Sequence, residues 1–239
     1  DISLAEAVLD LIDNSINAAL QPLADELKTA DDYQRLLESK KIKPKVQIDL
    51  TIRPKKITIV DNASGISLET AEHHVFKFGR ATGENEDSDR LSVYGIGLKR
   101  AMFKCGNKIR IISDLKEGGF DLDLVVQEWA KIKIEPWKFV ITPRPRAKTG
   151  CGTTVEISDL RDDVRRRIDD ALFVPELRER IARTYSFFIG RVVTITLNGD
   201  RIEGDQRGLQ VDAKAREVGR PAARTCPERA AAGHQPVER

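Results

Sequence analysis

Apolar residues recur over the first twenty positions with the spacing of a helix. Val8, Leu9, Leu11, Ile12, Ile16, Ala19 and Leu20 fill one broad arc when the chain is wound at about 100° per residue. Residues 1–20 are therefore expected to form an amphipathic helix, followed by a more polar one over 24–40 that Lys43 and Pro44 close. The period then changes to two. KVQIDLTI (45–52) and KKITIVD (55–61) predict a hairpin whose second strand runs into an Asx/Gly turn at DNASG. Helical spacing returns over 68–79. A polar, glycine-bearing loop follows over 80–97, then a short helix over 98–106 with Gly106 in the usual stop position. KIRIISD, FDLDLVV, KFVITPR and TTVEISD supply four more strand-like runs. A helix over 175–190 and a strand over 191–202 with an Asn198–Gly199 turn complete the ordered pattern.

Consecutive strands without crossover helices argue against a doubly wound parallel sheet. The expected fold class is α+β: a two-layer sandwich of a mixed, mostly antiparallel sheet with helices on one face. After about Ile202 the chain becomes rich in Ala, Arg, Gly and Pro and nearly lacks large apolar residues. Residues 1–203 are thus expected to form the domain, and 204–239 a disordered or non-native tail.

Composition narrows the class. The 239 residues are 40% hydrophobic and 33% charged, with a net charge of +2, so no global basic field argues for nucleic acid. No apolar run approaches the length of a membrane span, and DISLAEAV does not read as a signal peptide. Cys105, Cys151 and Cys226 lack metal spacing and cannot all pair with one another, which suits a reducing, cytoplasmic setting. The chain opens on Asp1 rather than Met, so it is expected to start inside a larger gene product or after processing.

Four stretches carry candidate chemistry. Opposite the apolar arc of the first helix, Glu6, Asp10, Asp13, Asn14 and Asn17 gather with no Lys or Arg among them. Ordinary solvated faces mix signs, because opposite charges four apart help and like charges hurt. An all-acid-and-amide stripe, with Asp10 and Asn14 one turn apart, suits a site that positions a cation and a water. In ITIVDNASGI (57–66) a β-branched strand ends in Asp61, followed by small residues and Gly65. A carboxylate there can accept from an exocyclic amine, and small residues let a flat ligand approach the backbone; a plain Asp-Asn turn fits the same letters. In YGIGLKRAMFKCG (94–106), Gly95 and Gly97 precede a helix with Lys99 in its first turn, an arrangement that can hold an anion. It is not a Walker loop, and Arg100 stands where a Rossmann fingerprint would have its third glycine. In TGCGTTVEISDL (149–160) glycine and two threonines lead into a strand.

In this order the four stretches resemble the GHKL ATPase superfamily, which includes gyrase, the heat-shock chaperone with the Bergerat nucleotide fold, histidine kinases, and the MutL and MORC proteins. DLIDNSINA looks like the N-box, DNASGI like the adenine-binding motif, RATG through YGIGLKRA like the lid and its closing glycine motif, and GTTVEISDL like the late Gly-Thr motif, especially its MutL version. The resemblance covers roughly residues 1 to 200. It implies a Bergerat-type sandwich that binds ATP or ADP with Mg²⁺. By position, Asn14 would hold Mg²⁺, and Asp61 would accept from the adenine amino group with Gly65 admitting the base. Gly95, Gly97, Leu98 and Lys99 would cradle and neutralise phosphates, and Thr153 or Thr154 would order the pocket around Asp61. Asp10 would be the general base, one methylene shorter than the family's usual Glu. Ala63 replaces the adenine motif's first glycine, which matters if that position needs φ > 0. The resemblance further implies slow ATP hydrolysis, a lid over about 80–97, ATP-dependent homodimerisation and a coupling domain beyond residue 200. A nucleotide-gated module that binds DNA or protein with little hydrolysis is the alternative. A histidine-kinase-like phosphotransferase is disfavoured by Asp10 and by the absence of a phosphoacceptor helix; His73 and His74 read as packing or surface. RDDVRRRIDD (161–170) reads as a solvated helical face, and Trp129 and Trp137 as core or half-buried.

Overall fold

The computed structural model describes residues 2–21, 46–76, 97–131, 139–147 and 150–205. The expected helix over 24–40, Gly95 and nearly all of the expected lid, Trp137, Cys226 and all but two residues of the 204–239 tail lie outside these described residues.

Helix α1 spans Leu4–Leu20. The Ser3 Oγ accepts from the Glu6 N–H at 3.2 Å and the Ser3 N–H donates to Glu6 Oε2 at 2.7 Å, so two otherwise orphaned donors are satisfied reciprocally. Glu6, grouped by sequence with the polar arc, is thus the partner in a capping box. Strands β1 (Val46–Arg53) and β2 (Lys56–Asp61) form the expected hairpin. A short helix α2 (Leu68–Thr70) widens into a π-turn over Ala71–Val75 and carries exposed His73.

Helix α3 (Gly97–Cys105) runs without a turn into β3 (Gly106–Asp114). Gly106 is therefore not a helix stop of the left-handed kind. It opens a strand, and a Cβ there would lie 2.7 Å from the Ser158 carbonyl oxygen. Close strand approach, not a positive φ, selects glycine. Then come β4 (Gly119–Val125), α4 (Val126–Trp129), β5 (Thr142–Arg144), β6 (Gly152–Leu160), α5 (Asp162–Asp169), α6 (Phe173–Thr184), β7 (Val193–Leu197) and β8 (Asp200–Ile202). Helix α6 starts earlier than predicted because Pro175 is tolerated in a first turn, where its missing N–H has no partner to lose. It ends at Thr184, not 190. The run over 161–170 is less wet than expected: Val164 and Ile168, four apart, are buried in the core. Between β7 and β8, Asn198 (φ +57°) and Gly199 (φ +93°) make the two-residue hairpin turn that needs both residues left-handed.

The eight strands form one sheet in the order β5-β4-β3-β6-β2-β1-β7-β8. Every pairing is antiparallel except β1 with β7. The expected mixed, mostly antiparallel α+β sandwich is the observed one. Register makes one sheet face continuous. Leu122, Ile111, Val155, Ile59, Leu50 and Leu197 lie side by side across six strands. Helix α1 lays Leu4, Ala7, Val8, Leu11, Ile12, Ile16 and Ala19 into the same core. Burying each large aliphatic side chain stabilises the fold by about 1.5–3 kcal/mol. The opposite sheet face carries Lys56, Arg110, Asp121, Asp123 and Glu156, joined in ion pairs at 2.7–3.8 Å. Helices pack on one face and salt bridges lace the other. Trp129 is buried and stacks on Phe139, ring centroids 5.2 Å apart.

Candidate functional site

One row of the inner sheet face breaks the apolar pattern. Phe120, Ser113, Thr153, Asp61 and Ile48 are successive neighbours across β4, β3, β6, β2 and β1, so three polar residues sit together between apolar ones. Asp61, the last residue of β2, is only 7% exposed. Its Oδ1 accepts from the backbone N–H of Ala63 at 3.1 Å and of Thr153 at 3.2 Å, and its Oδ2 accepts from the Ser15 hydroxyl at 2.7 Å. Burial pushes the carboxyl pKa up, and the three hydrogen bonds oppose that shift. A carboxylate offers about four lone-pair directions. Three are used, which leaves Oδ2 able to accept one more donor.

The loop after Asp61 is held just as closely. Ser113, fully buried, donates from its Oγ to the Ile66 carbonyl at 2.9 Å and accepts from the Ile66 N–H at 2.7 Å. Gly65 has φ +73°, and a Cβ there would lie 2.7 Å from the Asp114 carbonyl oxygen. Glycine is thus demanded here by the turn and by the neighbouring strand, whatever approaches the loop. Ala63 does not have a positive φ, so its replacement of glycine strains nothing. Gly152 admits a close strand approach: a Cβ there would fall 2.1 Å from the Asp61 carbonyl oxygen. Of the two threonines offered by the sequence, only Thr153 reaches Asp61. Thr154 pairs with Val60 and Ile112 and, by the two-residue alternation of a strand, faces the other side of the sheet.

Helix α1 connects the Asp61 cluster to a second one. Ser15 touches Asp61, and the preceding Asn14 donates from its Nδ2 to the Asp10 carbonyl one turn back at 2.5 Å. The donation leaves the Asn14 amide oxygen as its acceptor end. Such a single hard oxygen fits Mg²⁺, which keeps several waters and phosphate oxygens and needs no all-protein cage. No group of three His, Cys, Asp or Glu residues that could hold a metal occurs among the described residues.

Asp10 faces the start of α3. A Cβ on Gly97 would lie 3.7 Å from the Asp10 Cβ and Cγ, an ordinary contact distance. From one turn further, Arg100 donates to Asp10 Oδ2 through Nε (3.2 Å) and Nη2 (2.8 Å). Leu98 and Lys99 are both buried, and burial pulls the Lys99 ammonium pKa down. Asp13 does not join Asp10. Its Oδ1 accepts from the Tyr185 hydroxyl at 2.7 Å, which ties α1 to the end of α6, and burial pushes its pKa up.

The structure thus brings Asp10, Gly97 and Arg100 together, and Asp61 with Ser15, Ala63 and Thr153. Gly95 lies outside the described residues. The sequence reading missed Ser15, although it is the single hydroxyl in the buried stripe of α1, and such an interruption is a visible signal. It also missed Ser113, whose partner is 47 residues away and leaves no local trace. A cavity of about 370 Å³ lies elsewhere, lined by Ser3, Lys104, Asp163, Arg167, Phe173 and Arg180 among others, and includes no predicted site residue.

Comparison with known proteins bears on the family and the fold. Residues 2–147, more than half of the chain, match the family described as histidine kinase-, DNA gyrase B- and HSP90-like ATPase. The chain belongs to that family. Among solved structures it is similar to the ATPase region of Saccharomyces cerevisiae topoisomerase II bound to ICRF-187 (dexrazoxane). The TM-score is 0.52 at 13% sequence identity, covering 83% of this chain and 48% of that one. At that identity the likeness concerns the fold, and this chain spans about half the length of the topoisomerase structure. No curated protein sequence matches the chain.

Proposed function

We propose that this domain binds ATP with Mg²⁺ and hydrolyses it slowly to ADP and phosphate. The observation that carries the reading is Asp61: a buried carboxylate, pre-oriented by three donors, with one acceptor direction left over. That is the arrangement a purine amino group requires, because a buried acceptor rejects bases that offer it no donor. Adenine would lie against Ala63 and Gly65. Asn14 would hold Mg²⁺ through its amide oxygen, and the ion would neutralise charge on the phosphates. The start of α3, from Gly97 through Leu98 and Lys99, would take the phosphates at the positive end of the helix. Asp10 would accept a hydrogen bond from the attacking water. Closure of the 80–97 segment over the nucleotide, and ATP-dependent pairing of two copies of a longer protein, extend the proposal along the line of the family. So does a cytoplasmic setting: Cys105 and Cys151 are free thiols, and no helix among the described residues is long and apolar enough to cross a membrane.

Calorimetric titration of a non-hydrolysable ATP analogue with Mg²⁺, on the unaltered chain and on Asp61→Asn, tests the reading. Saturable binding that the substitution weakens by roughly 30- to 150-fold is expected. Absence of binding by the unaltered chain refutes it.

A further inference from the structure

The two oxygens of Asp10 have different surroundings. Oδ2 accepts from Arg100 Nε and Nη2, at 3.2 and 2.8 Å. Oδ1 is turned toward the start of α3, 3.9 Å from the point where a Gly97 side chain would begin. The guanidinium that holds Oδ2 comes from α3. A planar guanidinium that places Nε and Nη2 on one carboxylate oxygen anchors that oxygen with two charge-assisted hydrogen bonds and leaves the other oxygen for a further donor. An aspartate, one methylene shorter than glutamate, has less reach with which to find a water on its own.

We propose that Arg100 is a positioning residue for Asp10. By holding Oδ2, it presents Oδ1 to the water that attacks the terminal phosphate. The inference rests on the hydrolytic reading above. In the step it serves, the water oxygen bonds to the γ-phosphorus as the bond from that phosphorus to the bridging oxygen breaks. The electron pair of the broken bond stays with ADP. The water proton passes to Asp10 Oδ1 and on to bulk water. Arg100 touches neither reactant; it acts through the carboxylate. Nor does the contact serve mainly the fold. The Arg100 side chain is half exposed, and exposed ion pairs add little to stability.

The test is ATP turnover by the unaltered chain, Arg100→Ala, Arg100→Lys, Asp10→Asn and the Arg100→Ala/Asp10→Asn double variant, with analogue titrations on each. Arg100→Ala is expected to lower kcat at least tenfold. KM for ATP and the analogue Kd should stay within twofold, and Arg100→Lys should recover part of the rate. In the Asp10→Asn background the Arg100 substitution should cost nothing further. An equal loss in that background, a loss of affinity in place of rate, or a faster enzyme would each overturn the positioning role. The last two would mark Arg100 as a phosphate ligand or as a latch. Analogue binding without turnover by the unaltered chain would remove the hydrolytic reading and this role with it. Intact turnover that Arg100→Ala leaves unchanged would remove this role alone.

Discussion

Asp61 and Asp10 are both carboxylates of the candidate site, and the fold treats them in opposite ways. Asp61 sits at a strand end inside the sheet's apolar face, and its three partners are neutral: a hydroxyl and two backbone N–H groups. Asp10 sits on a helix at the rim, only partly buried, and its partner is a cation. Neutral donors in a buried place fix where a carboxylate points without cancelling its charge, which is what recognition of one polar group demands. A guanidinium at the rim tempers a negative charge that stands where phosphates are proposed to arrive. Two electrostatic problems, identity of a base and proximity to an anion, thus receive two solutions on one helix and one strand.

The contrast predicts separable failures. The largest should come from Asp10→Asn: turnover is expected to fall by roughly 10²–10⁴-fold, the usual worth of a general base, with analogue affinity nearly unchanged in a titration. An affinity loss of similar size would erase the distinction between the two carboxylates. Asp61→Asn should do the reverse. One carboxylate oxygen becomes an amide nitrogen, a donor that must face either the donors already present or the incoming amino group, at a cost of about 2–3 kcal/mol, or roughly 30- to 150-fold in analogue Kd. Ser15→Ala should weaken analogue binding by about 1 kcal/mol, read in the same titration, because Asp61 keeps its two backbone donors. Smallest of all, Thr154→Ala should shift stability by less than about 0.5 kcal/mol in denaturant melts, since it lies on the far face of the sheet.

Asp61 also carries a pH signature. Its folded pKa is raised above the ordinary 3.8 by burial, so above pH 3.8 the folded state holds on to a proton that the unfolded chain has released. Unfolding then releases protons, and stability must fall as pH rises from 3.8 through the raised value. Denaturant melts across that window should show the decline, and Asp61→Asn should flatten it. A decline of the same slope in the variant would show that Asp61 does not titrate in that window.

How far the sequence reached can be judged residue by residue. The α1 stripe, the β1–β2 hairpin and the Asn198–Gly199 turn were legible because each depends on neighbours a few positions apart. So was the pairing of a site acid with an amide on α1, since Asp10 and Asn14 are one turn from each other. The role of Glu6 was also local, a Ser-x-x-Glu cap, and was misread because charge was weighed before position. The choice between Thr153 and Thr154 was not legible. Both letters fit the strand, and only the register against β2 turns one of them to Asp61.

The sequence by itself determined which elements form and which chemical groups are present, because helical and strand periods, caps and turns are short-range properties of the backbone. The tertiary structure decided which groups meet. Ser15 reaches Asp61 across 46 positions, Arg100 reaches Asp10 across 90, and Thr153 reaches Asp61 across 92. Contacts at that range are set by how α1 and α3 settle on one face of the sheet and by strand register, and burial there is what perturbs Asp61 and Lys99. No periodicity in the chain encodes such neighbours, since they exist only once the core has closed.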